Sequence, residues 1–260
     1  MIYGISLSAL LLTFFGLTAI IALRYLMISG LFYWLLWSKG ANPRAIKLMQ
    51  GTPAPGVVRS EISWSLLSSF IYAAPAAIVM EMWKLGDTAI YMDLSDYPLW
   101  YLPVSILVYL FLHDTWFYWT HRLMHRPGVF PIMHKVHHQS RPPTPWAAFS
   151  FHPTESVLGA IFLPLLALVI PIHVGAVLFI LTLMTLAAVL NHSGYEVLPK
   201  WWLRGWPGRH LITAAHHDLH HKKFNRNYGL YFRFWDKVMG TDVMESEYDF
   251  LETPARPAAA

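Results

Sequence analysis

Apolar residues in this chain come in long blocks. Ile2 to Leu23 is almost wholly apolar, long enough to cross a hydrocarbon layer of about 30 Å. Arg24 closes that block, and apolar residues resume from Tyr25 to Trp37. No basic start and no small-residue cleavage site accompany it, so a retained helix is expected and not a removed signal. Ser38 to Glu61 is polar and rich in Pro and Gly, with Lys39, Arg44, Lys47 and Arg59. It reads as a loop with a short surface helix at Pro43 to Gln50. Ile62 to Trp83 predicts a second span and Tyr97 to Trp119 a third. Two shorter runs, Ser156 to Ile170 and Val174 to Leu190, flank the tripeptide PIH. They predict a hairpin, either tilted across the membrane or re-entrant. Beyond Asn191 the chain is polar with scattered aromatics, and the tail TPARPAAA is expected to be disordered.

This pattern predicts an all-α integral membrane protein, with four to five transmembrane helices capped by a cytosolic histidine-rich helical domain. Residues 1–96 form membrane anchor helices and a basic loop. Residues 97–245 form the histidine-bearing working domain, and 246–260 the tail. Composition agrees: 55% of residues are apolar and 13% charged, against about 25% charged in an ordinary soluble domain. The net charge of +4 forms no nucleic-acid patch, and no nucleic-acid partner is expected. The basic residues mark topology instead. The loop after the first span and the segment His121 to Arg141 are basic, while Lys84, Asp87, Asp93 and Asp96 make the intervening connection acidic. The positive-inside rule then puts the histidine clusters on the cytoplasmic side of a multi-pass protein. The setting is a bacterial inner membrane, or the endoplasmic reticulum in a eukaryote.

Candidate chemistry is concentrated in histidine. All 14 lie between His113 and His221, and there is no cysteine. Disulfides, thiolate zinc sites, cysteine nucleophiles and iron–sulfur clusters are thereby excluded. Three motifs stand out: HRLMH (His121, His125), HKVHH (His134, His137, His138) and HDLHH (His217, His220, His221), the last preceded by His216. On a helix, residues three and four apart share a face, so each motif should project its imidazoles in one direction. Eight donors exceed what one tetrahedral ion takes and suit two. Imidazole alone does not choose among Zn, Cu, Fe and Ni. Asp114, Glu155 and Asp218 are candidates to orient the rings. His113, His173 and His210 read as non-ligands.

From Leu112 to Thr241 the chain resembles the fatty acid hydroxylase/sterol desaturase superfamily of membrane di-iron proteins. The stretches that carry the likeness are DTWFYWTHRLMH, HKVHH, FHPTE, NHSGYE, HHDLHH, NYG and WDKVMGT. The resemblance implies a helical bundle with a cytosolic histidine-rich cap. It also implies two Fe ions (with Zn as a substitute), O2, and electrons from a separate donor protein, used to hydroxylate or desaturate a lipid. It makes His121, His125, His134, His137, His138, His217, His220 and His221 the ligands. It adds His192 from NHSG and, as in some members, His216. His152 and Glu155, from FHPTE, become positioning candidates. Fatty-acyl hydroxylases of the superfamily carry a further histidine where this chain has Ala188. That departure points toward the sterol-oxidase-like subgroup or a bacterial branch.

The substrate is expected to be a sterol-like, fatty acyl or other apolar lipid entering from the bilayer. Trp116, Trp146, Phe149 and Phe151 are candidates to line its path. Lys222, Lys223, Arg226 and Arg233 are candidates to dock an acidic electron donor. No GxGxxG loop is present to hold a nicotinamide or flavin cofactor. A zinc hydrolase would need HExxH, and a carboxylate di-iron bundle Glu-x-x-His pairs; neither occurs. A non-redox zinc-binding membrane protein, structural or transporting, is the alternative.

Overall fold

A computed structural model describes residues 4–38, 45–49 and 51–243; the expected tail lies outside them. The first apolar block is one helix, α1 (Leu7–Tyr33), that runs on into a wider turn to Ser38. Arg24 does not end it, since a lone arginine is a good helix former. Ile46–Lys47 forms a two-residue strand, β1. This corrects the surface helix expected there, because these residues pair with a later strand. α2 (Val57–Lys84) follows, then β2 (Ile90–Tyr91) and α3 (Tyr101–Met124). A single turn α4 (Phe130–Met133) leads to α5 (Pro153–Val169), β3 (Ile172–His173) and α6 (Val174–Asn191). Then come β4 (Tyr195–Glu196) and α7 (Lys200–Arg204). The chain ends with α8 (Trp206–His210), α9 (Ala214–Lys223) and α10 (Phe234–Val238).

Among the described residues, three helices are long and apolar enough to cross a membrane: Leu7–Ser38, Val57–Lys84 and Val174–Asn191. α5 is apolar but shorter, at 17 residues. α3, whose apolar run is broken by His113 and Asp114, is not among the three. α1 turns Leu7, Leu12, Phe15, Ile20, Leu23 and Met27 outward, the surface expected of a helix whose solvent is lipid.

α2 packs against α1 and α5 through a stripe of small or polar residues, namely Glu61, Ser65, Ser68, Ser69, Ala73, Ala77 and Glu81. Their near-fourfold spacing keeps them on one face, and their size lets the helices approach closely. Ser68 Oγ lies 2.8 Å from Ser156 Oγ of α5, and Ser65 donates to the Trp146 carbonyl.

At one end of the bundle β2 and β3 pair in parallel, Ile90 with Ile172 and Tyr91 with His173. There His173 caps α6 through Gly175 N–H and meets the Met92 carbonyl, 2.9 Å away, so it takes no part in the clusters. Tyr101, at the start of α3, donates to the Pro171 carbonyl at this end too. At the other end β1 pairs antiparallel with β4. The end of α3, the turns after it, the end of α6 and α9 all converge there.

Candidate metal centre

Nine histidines converge into two groups. His121, His125, His134, His138 and His220 offer ring nitrogens within 4.8 Å of one another, and His137, His192, His217 and His221 do the same. The groups abut, with the rings of His138 and His221 centred 4.4 Å apart. Eight of the nine are buried; only His125 is partly open.

The motifs do not act as units. His134 is the C-cap of α4, and His137 and His138 sit in a tight 3-10 turn, so the second motif lies on no regular helix. His134 and His138 join the first group while His137 joins the second. In the third motif His217 and His221, one turn apart on α9, face the second group and His220 faces the first. The expectation that each motif projects one way holds for HRLMH, whose two rings both join the first group, and is corrected for HKVHH and HDLHH, which both groups share and which force them to be neighbours.

Four rings are pinned through Nδ1. His121 Nδ1 meets the Tyr228 carbonyl at 2.9 Å, His192 that of Ala188 at 2.7 Å and His220 that of Arg226 at 2.7 Å. His134 Nδ1 meets Glu155 Oε1 at 2.8 Å. A carbonyl or carboxylate only accepts, so Nδ1 carries the proton and the Nε2 lone pair points inward. Nε2 atoms then face each other at 3.0 Å (His121–His134), 3.1 Å (His137–His192) and 2.8 Å (His192–His217). His121 and His134 are both pinned with the proton on Nδ1, so their facing Nε2 lone pairs repel at that range unless a cation lies between them. Burial, reinforced by neighbouring imidazoles, holds His134, His137, His217, His220 and His221 well below the usual histidine range. Burial pushes His192 down to about 4. Neutral imidazole is the form that binds metal, so the donor set fits two ions.

His216 stays outside both groups. Its Nδ1 accepts from Thr213 N–H at 3.1 Å in a capping box at the start of α9. Its proton is therefore on Nε2, and neither nitrogen offers a lone pair. Of the orienting candidates only Glu155 touches a ligand ring. Asp114 Oδ1 accepts from the N–H groups of Leu230, Tyr231 and Phe232. Asp218 pairs with Lys222, and His152 caps α5 through Thr154. His113 lies apart, at 3.1 Å from Tyr231 Oη.

The pieces that hold the rings were missed in the sequence. Asp236 accepts from Tyr228 N–H at 2.9 Å and Gly229 N–H at 2.8 Å, and from Thr241 Oγ1. It fixes the NYG loop, whose Tyr228 carbonyl orients His121 and which directly follows Arg226, whose carbonyl orients His220. Glu196 accepts from Ala215 N–H and Leu198 N–H, securing the start of α9. The stretches NYG, WDKVMGT and NHSGYE were the available signals.

A cavity of about 620 Å³ opens beside His125, lined by Trp119, Arg122, Leu123, Arg126, Pro127, Tyr228 and Met239. An apolar groove of about 340 Å³ shares Trp119 and Leu123 with it and continues along Leu112, Thr115, Trp116, Thr120 and Phe162. Trp116 lies in the groove, stacked on Phe162. Phe151 packs on His137, with ring centroids 5.0 Å apart. Trp146 and Phe149 line neither the cavity nor the groove; they pack around Tyr25 in the core between the helices, in a cluster that Phe151 also borders. Arg233 is also corrected as a docking residue. It is buried, holds both Asp242 oxygens and donates to the Gly208 carbonyl.

Fold and site together define a mostly helical protein with candidate membrane spans and two abutting histidine clusters that could hold metal. The Fatty acid hydroxylase family profile matches residues 106–241, just over half the chain, and the chain belongs to that family. It is 32% identical over 267 residues to a Delta(7)-sterol 5(6)-desaturase of Aspergillus fumigatus, covering 92% of this chain and 77% of that protein. It is 28% identical to a Delta(7)-sterol 5(6)-desaturase of Gibberella zeae, covering 92% and 70%. It is 31% identical to lathosterol oxidase of Mus musculus, covering 74% and 63%. No solved structure matches. These relationships make the chain an oxidoreductase of lipid metabolism.

Proposed function

We propose that this chain is an O2-dependent lipid oxidase that holds two iron ions in its nine imidazoles and acts on a sterol-like substrate. The observation that carries this reading is the pair of abutting groups, their inner nitrogens facing one another and four of their rings held in the metal-binding tautomer. The ions would supply what no side chain does, activation of O2 against an unreactive C–H bond. Hydroxylation consumes the substrate, O2, two electrons and two protons, and gives the alcohol and water. Desaturation consumes the same and gives the alkene and two waters. The electrons come from a separate reduced carrier.

The chain's own residues do the rest. The carbonyls of Tyr228, Arg226 and Ala188, with Glu155, keep the rings aimed through the cycle. Burial of eight ligands excludes water. Trp119, Leu123 and Met239 bind the apolar body of the lipid beside His125, the one partly open ligand. The groove over Trp116 and Phe162 gives access from the bilayer. α3 and α5 serve as the fourth and fifth spans, with the clusters on the cytoplasmic side.

Lipid mass spectrometry of cells with and without the protein tests this. A lipid that gains one oxygen or loses two hydrogens, only when His137 is intact, is expected. Unchanged lipids with zinc bound and no O2 uptake on reduction would favour the non-redox reading.

A further inference from the structure

α7 and α8 form a tight corner. A Cβ on Gly208 would lie 2.0 Å from the Leu203 carbonyl oxygen, so the two short helices touch through a glycine and hold a fixed angle. Leu203 is wholly buried, and Trp202 points its indole N–H inward. Trp201 and Trp206 are 71% and 72% exposed on the outside. Lys200, Arg204 and Arg209 are exposed beside them. The two carboxylates between residues 197 and 241, Asp218 and Asp236, are both buried. Among the described residues the corner therefore presents large aromatics beside the exposed basic residues Lys200 and Arg209.

Its depth in the molecule follows from α3. Asp114 holds the backbone of Leu230–Phe232, and the Phe234 ring packs on Phe111. At 1.5 Å per residue, these contacts lie about 10–15 Å along α3 from His121. They lie on the side toward Tyr101, which contacts the opposite end of the bundle. The corner is tied to this strand: Leu211 bridges Phe232, Arg233 N–H donates to the His210 carbonyl, and Arg233 Nη1 to that of Gly208. It is thus set back from the metal centre toward the apolar bundle. On the same flank Phe234 and Val238 are 46% and 59% exposed.

We propose that the α7–α8 corner is a membrane-surface anchor, with Trp201 and Trp206 seated at the headgroup level and Lys200 and Arg209 engaging anionic lipid. Tryptophan prefers that layer because its ring is apolar and its N–H is polar, and basic residues there attract anionic headgroups. The proposal is independent of the oxidase reading.

The chain has no cysteine of its own, so Trp206→Cys carries a single environment-sensitive fluorophore. Trp201→Cys is the second position, in case one variant misfolds. Each labelled full chain is placed in vesicles of phosphatidylcholine with phosphatidylglycerol, with shallow spin-labelled lipids of either headgroup as quenchers. Both labels should be quenched, about twofold or more strongly by the anionic quencher. Lys200→Gln with Arg209→Gln should erase that difference. No quenching, or equal quenching by the two headgroups, would overturn the proposal. A label shielded from both quenchers only at high protein concentration would overturn it in favour of a contact between copies of the chain.

Discussion

Replacing Asp236 with alanine removes no metal ligand and should nonetheless empty part of the metal centre. Asp236 is 1% exposed and accepts from two backbone N–H groups and one hydroxyl. Each hydrogen bond to a buried carboxylate is worth about 1.5–3 kcal/mol, and alanine leaves two N–H groups without a partner. With partial relaxation the loss is about 3–5 kcal/mol. It falls on the loop whose Tyr228 carbonyl aims His121 and whose Arg226 carbonyl aims His220. Loss of such an orienting partner typically weakens metal binding by about 10–100-fold. Both rings belong to the first group, so that group should lose its ion first. Metal analysis of protein washed with a weak chelator should fall from two ions per chain toward one, with a lower unfolding temperature. Asp236→Asn, which keeps one acceptor oxygen but sets an amide N–H2 against a backbone N–H, should lie between. Two ions retained in the alanine variant with unchanged unfolding would refute the reasoning.

His217→Ala should lose metal and O2 uptake, whereas His216→Ala should keep both and lose about 1 kcal/mol of stability with its capping box; metal analysis and thermal unfolding distinguish them. His137→Ala should abolish lipid oxidation and His173→Ala should leave it intact, checked by O2 consumption. Acid should destabilise the protein from about pH 6.5 downward. In the metal-free chain burial pushes His192 down to about 4 against 6.5 for a free histidine, so the unfolded chain takes up the proton first and stability falls through that window. Above it this contribution is flat, as unfolding measured across the window will show. Leu123→Trp should narrow the cavity beside His125, raising KM for the lipid with metal content unchanged.

Much of the site was legible because three- and four-residue histidine spacing has few other uses. Nine of the ten proposed ligands come together in space. The tenth, His216, has the right spacing and the wrong tautomer. Its Nδ1 is taken by Thr213 N–H, a contact that spacing does not reveal. The division of HKVHH and HHDLHH between two groups was hidden for a related reason: a 3-10 turn sends His137 and His138 in different directions. The first two spans and the Val174 run were legible from hydropathy, whereas the expected third span, Tyr97 to Trp119, falls on a helix that is not among the three candidates, and Arg24 was misread as a boundary. Trp146 and Phe149 pack a helix interface and border neither the cavity nor the groove, a distinction that composition does not reveal. The carbonyls that aim the rings leave no mark in side-chain identity.

The central claim is that imidazole nitrogens alone hold a pair of ions. Iron-edge X-ray absorption on the anaerobically purified, reconstituted protein, together with metal counting, addresses it directly. Two irons per chain, each with a nitrogen-dominated shell, and about one after His217→Ala, are expected. A single ion, or none, in the unmodified protein would contradict it.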